Sequence, residues 1–394
     1  MFGCSATTNI LNYIGKKMEI EMDQDIYSKM KEILYHNSLY AFYKGNKRDI
    51  DTLKAGEIFL SYADNFNDRF EGLIEIKYEE FAEECLRLRV GDNFYNEIID
   101  KFKFCKDLDV IGSLSLYQPL PVMPNSLLQT SEIPMPDGVS DELKAFILKF
   151  DVAQFKHEIQ DKYDAYQSAI AAVRNSFGIK CFTLSSPIYN SVMWSHYGDD
   201  YKGICCEFPF QEIVYDINSS RCVKDDKYIC EHIAPINYVE NFNPTIKIDC
   251  KKLLRIPIKE ISSSEYIIDC VKESLLIKQS QWSHEKEVRL IIRNDDKNID
   301  IIEKTDNGFK IKFPYLNKVY TCNRVSILDR AYKVTRAHRA AKSIARVKKI
   351  DCMNLVPSSS KMEFIQELLT LDRRKRLDEL RQPLFTYSDM NIPF

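Results

Sequence analysis

The sequence predicts an α+β protein, with a mixed, twisted sheet assembled from distant stretches of chain and surrounded by helices. Two observations carry that reading. Short apolar runs recur at 39–43, 57–62, 179–184, 203–208, 288–292 and 309–313, as strands require. Longer stretches at 20–37, 79–107, 141–177 and 261–280 place apolar residues three or four positions apart, as helices require. The resulting plan has an N-terminal helical segment at 1–38 and an α+β core at 39–320. A helical and proline-rich insertion at about 79–177 interrupts the core. Residues 321–394 form a basic, mainly helical C-terminal extension.

Composition narrows the class. The chain has 394 residues, 45% of them apolar and 29% charged, which suits a soluble globular protein. Only 12 glycines argue against repeats or long linkers, and a net charge of -3 gives the whole chain no strong electrostatic preference. No run is long and apolar enough for a membrane helix, and residues 1–15 lack the features of a signal peptide. There are 12 cysteines and none forms a C-x-x-C pair. Cys222, Cys230 and His232 come nearest to a metal cluster, but their spacing fits no standard zinc module. A reduced, cytoplasmic protein without a metal site is the expectation. The sequence leaves oligomeric state open.

In chain order, Leu39–Tyr43 reads as a strand. Residues 50–55 read as a short helix stopped by Gly56. Glu57–Tyr62 alternates and leads into a polar loop, Asp64 to Gly72, in which Phe66 and Phe70 are expected to be buried. The prolines at 119, 121, 124, 134 and 136 mark irregular chain. The pattern at 141–177 reads as one long helix ended by Gly178. After the strand at 179–184, Ser191 is a candidate cap for a helix carrying Met193, Trp194, His196 and Tyr197.

Two regions suggest chemistry. Glu285 and Glu287 stand one residue apart where a polar segment becomes an apolar strand. In extended chain such residues share a side and can face one cleft. The alternative is that they are solvated, or pair with Arg289, Lys286 or Lys278. The other region is a stripe of Arg330, Lys333, Arg336, Arg339, Lys342, Arg346 and Lys349, which share one flank of a helix. Such a stripe suits DNA or RNA phosphate, an acidic surface of the same protein (Asp295, Asp296 or Glu303), or an ordinary solvated face.

Three stretches resemble a bacterial domain-of-unknown-function family, family 2971. They are Leu39 to Glu71, Cys181 to Phe208 with Met193-Trp194-Ser195-His196-Tyr197-Gly198, and Trp282 to Leu290. Arg69 stands where that family usually has proline. The family name carries no activity. The resemblance implies a setting among phage-defence and mobile-element genes.

The same order of motifs also resembles ADP-ribosyltransferases. Tyr40 and Tyr43 fit the early strand, and Thr183, Ser185 and Ser186 loosely fit the middle one. Glu285-Lys286-Glu287 fits the late Glu-x-Glu. The early strand lacks the usual His or Arg. This resemblance implies NAD as the ADP-ribose donor and Glu287 as the catalytic carboxylate, with Glu285 handling the acceptor. Tyr40, Tyr43, Ser185 and His196 are the expected NAD contacts. Tyr40 or Tyr43, Ser185 or His196, and Glu287 are therefore expected to line one cleft. A non-enzymatic nucleic-acid-binding module, using Arg336, Arg339, Lys342 and Arg346, is the rival. A nuclease is a third reading.

Overall fold

The computed structural model describes residues 38–66, 71–102, 137–209, 232–240, 245–323, 334–358 and 364–368. The expected helix at 20–37, Phe70, Cys222, Cys230, Arg330 and Lys333 lie outside these residues. The chain divides into two compact units. One comprises Met1–Ser61, Gly178–Ile236 and Gln281–Phe394, and the other Tyr62–Phe177 and Asn237–Ser280.

The first unit is built on an 11-stranded sheet. Numbered along the whole chain, its strands are β1 (Ser38–Tyr43), β2 (Glu57–Tyr62), β4 (Phe177–Thr183), β5 (Ile204–Pro209), β6 (Ile233–Pro235), β10 (Glu287–Arg293), β11 (Ile301–Thr305), β12 (Gly308–Lys312), β13 (Lys318–Cys322), β14 (Asp351–Pro357) and β15 (Phe364–Leu368). Their order is β11-β12-β2-β4-β1-β5-β13-β14-β15, and β10 pairs with both β4 and β6. β13 and β14 run parallel, while β1 runs antiparallel to β4 and β5. The sheet is therefore mixed, as expected, and the strands of the three motif stretches are neighbours within it.

Alternation assigns the sheet's two faces. Ser38, Tyr40 and Phe42 of β1 point one way, and Leu39, Ala41 and Tyr43 the other. On the first face Phe42 packs edge-on against Trp194, ring centres 5.1 Å apart. On the second, Phe313 packs against Phe182 and Phe208 at 5.7 and 5.3 Å. Phe313 belongs to the link from β12 to β13. Four strands separate those two in the sheet. A flat sheet would place them ~24 Å apart at ~4.8 Å per strand, whereas six residue steps reach at most ~20 Å. The sheet must curl, and the link crosses beneath its second face.

Local signals explain the helix limits. Asn46 caps the helix Lys47–Ala55 by accepting from Asp49 N, and Gly56 ends it at φ 71. The helix Ser191–His196 is capped by Asn190, one residue before the expected Ser191. The predicted single helix at 141–177 is two, Asp141–Lys149 and Val152–Arg174, because Asp151 caps the second. Gly178 does not end a helix. It lies inside β4, where a Cβ would meet the Phe309 ring at 2.3 Å.

The C-terminal part is not an appended helical extension. The helix Arg336–Lys348 is the crossover that parallel β13 and β14 need, and β14 and β15 continue the sheet. Ala337, His338, Ala340, Ala341, Ile344 and Ala345 form its buried side. His338 is fully buried, 3.0 Å from Asn354 Oδ1 through Nε2 and against Thr335 through Nδ1. Because the amide oxygen only accepts, Nε2 carries the proton.

The second unit is mainly helical. It contains Tyr78–Val90, Asp92–Phe102, Asp141–Lys149, Val152–Arg174, Cys250–Leu253 and Glu265–Ser274. Two short parallel pairs tie distant chain together: β3 (Ile74–Glu75) with β8 (Ile246–Lys247), and β7 (Asn237–Val239) with β9 (Ile277–Gln279). Phe81 packs against the rings of Tyr163 and Tyr166. A buried ion pair joins Glu71 to Lys278 at 3.1 Å. Phe66, expected to be buried, is half-buried.

Candidate functional site

The first face of the sheet carries a buried carboxylate, Glu207 on β5. Its register partners are Tyr40 on β1 and Lys318 on β13. Ser38 Oγ donates to Glu207 Oε1 at 2.9 Å, and Tyr320 OH donates to Oε2 at 2.5 Å. Lys318 Nζ lies 3.8 Å away. The Tyr40 and Tyr320 rings meet edge-on at 6.4 Å. Burial, then the charge on Glu207, pushes the Tyr40 phenol up to about 12. The same two causes raise Tyr320 further. Both phenols therefore remain hydrogen-bond donors at neutral pH.

A second cluster adjoins it through β4. Tyr40 pairs in register with Thr183, and its hydroxyl also meets the Ser186 side chain. Thr183 Oγ1 donates to the Glu285 carbonyl at 2.5 Å and accepts from Ser185 N at 2.9 Å. Leu184 N donates to the Lys286 carbonyl at 3.0 Å. The loop after β4 is thus bonded to the turn before β10. The Glu285 carboxylate, 3% exposed, accepts from Tyr197 OH at 2.5 Å.

Trp194 fixes the helix that bears Tyr197. Its side chain is fully buried, and Nε1 donates to the Pro187 carbonyl at 2.9 Å. Beyond that helix, Asp199, Asp200 and Tyr201 have φ of 50, 50 and 63. Such left-handed conformations are unfavourable for residues with a Cβ. Tyr201 is held there by bonds from its N to the Trp194 carbonyl and from its OH to the Ser191 carbonyl.

The two glutamates of the Glu-x-Glu segment take different partners. Glu285 ends a 3-10 turn, and Lys286 has φ 45. The chain between them is not extended, so the same-side rule for strand residues does not apply. Glu287 is buried, and its Oε1 accepts from Arg289 Nε at 2.7 Å. The Arg289 pairing weighed from the sequence is therefore present.

The other expected contacts separate as well. Tyr40 lies on the first face with Glu207, while Tyr43, three residues on, lies on the second. Ser185 is half-buried in the loop after β4. His196 is exposed, its ring centre 6.2 Å from that of Tyr197. Arg336, Arg339, Lys342 and Arg346 are all exposed on the crossover helix. Glu303 is paired with Lys310, and Asp295 with Arg293.

Residues 193–290 match the model of the family described as Protein of unknown function (DUF2971). The DUF2971 match contains Trp194, Tyr197, Glu207, Glu285, Glu287 and Arg289, and so supplies both carboxylates of the site. Of the three stretches singled out in the sequence, it covers most of the second and the third. Leu39 to Glu71, which supplies Tyr40, precedes it. Searches of curated proteins and of solved structures found no match. Among the described residues no helix is long and apolar enough to cross a membrane.

Sequence reading missed Glu207, Ser38 and Tyr320 as site residues. A signal existed for Glu207. It is the lone charge in the run Ile204-Cys205-Cys206-Glu207-Phe208, which otherwise reads as fully buried strand, and buried carboxylates need partners. Ser38 and Tyr320 carry no such mark, because only strand register brings them to Glu207.

The raised Tyr40 phenol gives a pH prediction. Unfolded tyrosine ionises near pH 10, whereas folded Tyr40 holds its proton to about 12. Its contribution to stability is therefore complete below pH 10 and is lost as pH rises through about 12. Urea denaturation at pH 9 and pH 11 should show a smaller drop for Tyr40→Phe than for the parent protein. Equal drops in both would refute the assignment.

Proposed function

We propose that the chain is an ADP-ribosyltransferase-like enzyme that moves ADP-ribose from NAD to a macromolecule. The observation that carries this reading is the adjacency of Tyr40, Thr183 with Ser185 and Ser186, and Glu285. Residues far apart in sequence meet where the end of β4 lies beside β1 and bonds to the turn before β10, in the order the resemblance implies. In this reading Glu285, not Glu287, takes the charge-stabilising role, since Glu287 already neutralises Arg289.

Bound NAD supplies a glycosidic C–N bond whose electron pair leaves with nicotinamide, placing positive charge on the ribose. The Glu285 carboxylate stabilises that charge, and Tyr197 holds the carboxylate in place. Tyr40, kept protonated, and Ser185 supply hydroxyls to the donor. The acceptor's nucleophilic atom forms the new bond to the ribose and gives up its proton to solvent. The test is incubation of the purified protein with labelled NAD and cell extract. Covalent label on protein or nucleic acid is the expected result. No label on either, at high enzyme concentration, would refute the reading.

One observation favours the nucleic-acid-binding module as a second reading. Arg336, Arg339, Lys342 and Arg346 are exposed on a helix whose other side is buried. In that reading affinity for DNA or RNA falls steeply with added salt. Reversing Arg336, Arg339 and Lys342 to glutamate should cut binding at 50 mM salt at least tenfold. Unchanged binding by the triple variant would exclude the helix as the contact.

A further inference from the structure

The second face of the sheet holds a pair of polar groups that the reading above does not use. The antiparallel register Tyr40↔Thr183 continues to place Tyr43 opposite Lys180. Lys180 Nζ lies 4.1 Å from the centre of the Tyr43 ring. Cys206 of β5 and Asp49 of the helix Lys47–Ala55 complete the surroundings. The Asp49 carboxylate accepts from Gly45 N at 3.1 Å. Among the described residues Lys180 forms no ion pair, and the buried Tyr43 hydroxyl has no hydrogen-bond partner.

Native structures seldom leave a buried polar atom such as the Tyr43 hydroxyl without a partner, and such an exception calls for a functional account. Burial dominates the Lys180 amine and lowers its affinity for a proton. The negative charge of Asp49 opposes that effect and is outweighed. Lowered proton affinity shifts the amine toward its neutral, nucleophilic form. Lys180 is half-buried as a residue and so is not sealed from solvent. Asp49 argues against an anionic ligand and leaves an uncharged electrophile as the better fit.

We propose that Lys180 and Tyr43 form a second reactive site that takes a small aldehyde or ketone as an imine. The Nζ lone pair attacks the carbonyl carbon while the C=O π electrons move to oxygen. Tyr43 donates a proton to that oxygen and takes one from the amine, which gives a carbinolamine and restores its own hydroxyl. A second proton from Tyr43 then carries the hydroxyl group off as water while the nitrogen lone pair forms C=N, and the remaining amine proton returns to Tyr43, so amine and carbonyl give imine and water. This site stands independently of the ADP-ribosyl reading.

The test treats the full-length protein briefly with propanal and cyanoborohydride at pH 7, which traps imines as alkylated lysines, and reads each site by peptide mass spectrometry. Lys180 should be alkylated several-fold faster than Lys202, an open surface lysine with a side chain 73% exposed. Tyr43→Phe should slow Lys180 and leave Lys202 unchanged. Lys180→Met should remove that label alone. Alkylation of Lys180 at or below the Lys202 rate in the folded protein would overturn the proposal, as would an undiminished Lys180 rate in Tyr43→Phe.

Discussion

Replacing Arg289 with methionine is expected to lower the unfolding free energy by about 3–5 kcal/mol, the usual loss when one partner of a buried ion pair is removed. Arg289 is 1% exposed and Glu287 is 5% exposed. Neither charge has water to fall back on once the 2.7 Å bond between them is gone. The cost comes mainly from the buried Glu287 carboxylate, which loses the charge of its Arg289 partner. The double variant Glu287→Met with Arg289→Met should therefore recover most of the loss, because a matched apolar pair avoids desolvating either charge. Urea midpoints of the two variants and the parent protein decide the matter. A single-variant loss under about 1 kcal/mol would show that the pair is far better solvated than its burial implies.

The second large effect concerns activity. Glu285→Gln keeps the shape of the side chain and its contact with Tyr197 but removes the negative charge. If the proposed transfer is correct, labelling from NAD should fall about 100-fold or more, in line with the loss of one charge-stabilising group. Tyr197→Phe should fall less, since it only frees the carboxylate to turn. Stability measured alongside separates chemistry from folding. A Glu285→Gln enzyme that folds normally and labels at the parent rate would remove Glu285 from the mechanism.

Periodicity located the main elements of the sheet and most helices, because alternation and 3.6-residue spacing are local properties. The family resemblance, not periodicity, singled out the three stretches whose strands the sheet brings together. Periodicity failed where a single residue overrides the pattern. The left-handed Lys286 turns Glu285 and Glu287 to different partners, and nothing in Glu-Lys-Glu announces that. Odd spacing along β1 does announce that Tyr40 and Tyr43 part company, once the strand is accepted. The C-terminal part misled for another reason. Its basic helical stripe is a strong signal, whereas Asp351–Pro357 has buried and open positions that do not alternate cleanly. Register pairs such as Glu207 with Lys318 are set by topology, which no local pattern records.

The link from β12 to β13 bears on how the chain is made. By the time residue 209 has left the ribosome, β2, β4, β1 and β5 can pair in that order, with open edges at β2 and β5. Both edges wait for the same short piece of chain. β12 covers β2 and β13 covers β5, and the two arrive within a few residues of each other. Until then the nascent protein carries two unprotected edges, one at β5 and one at β2 much further back in the chain, a state prone to pairing with neighbouring chains. The growing chain is thus most vulnerable between the emergence of β5 and that of β13, and a truncation ending before Gly308 should collect in inclusion bodies whatever the full-length protein does.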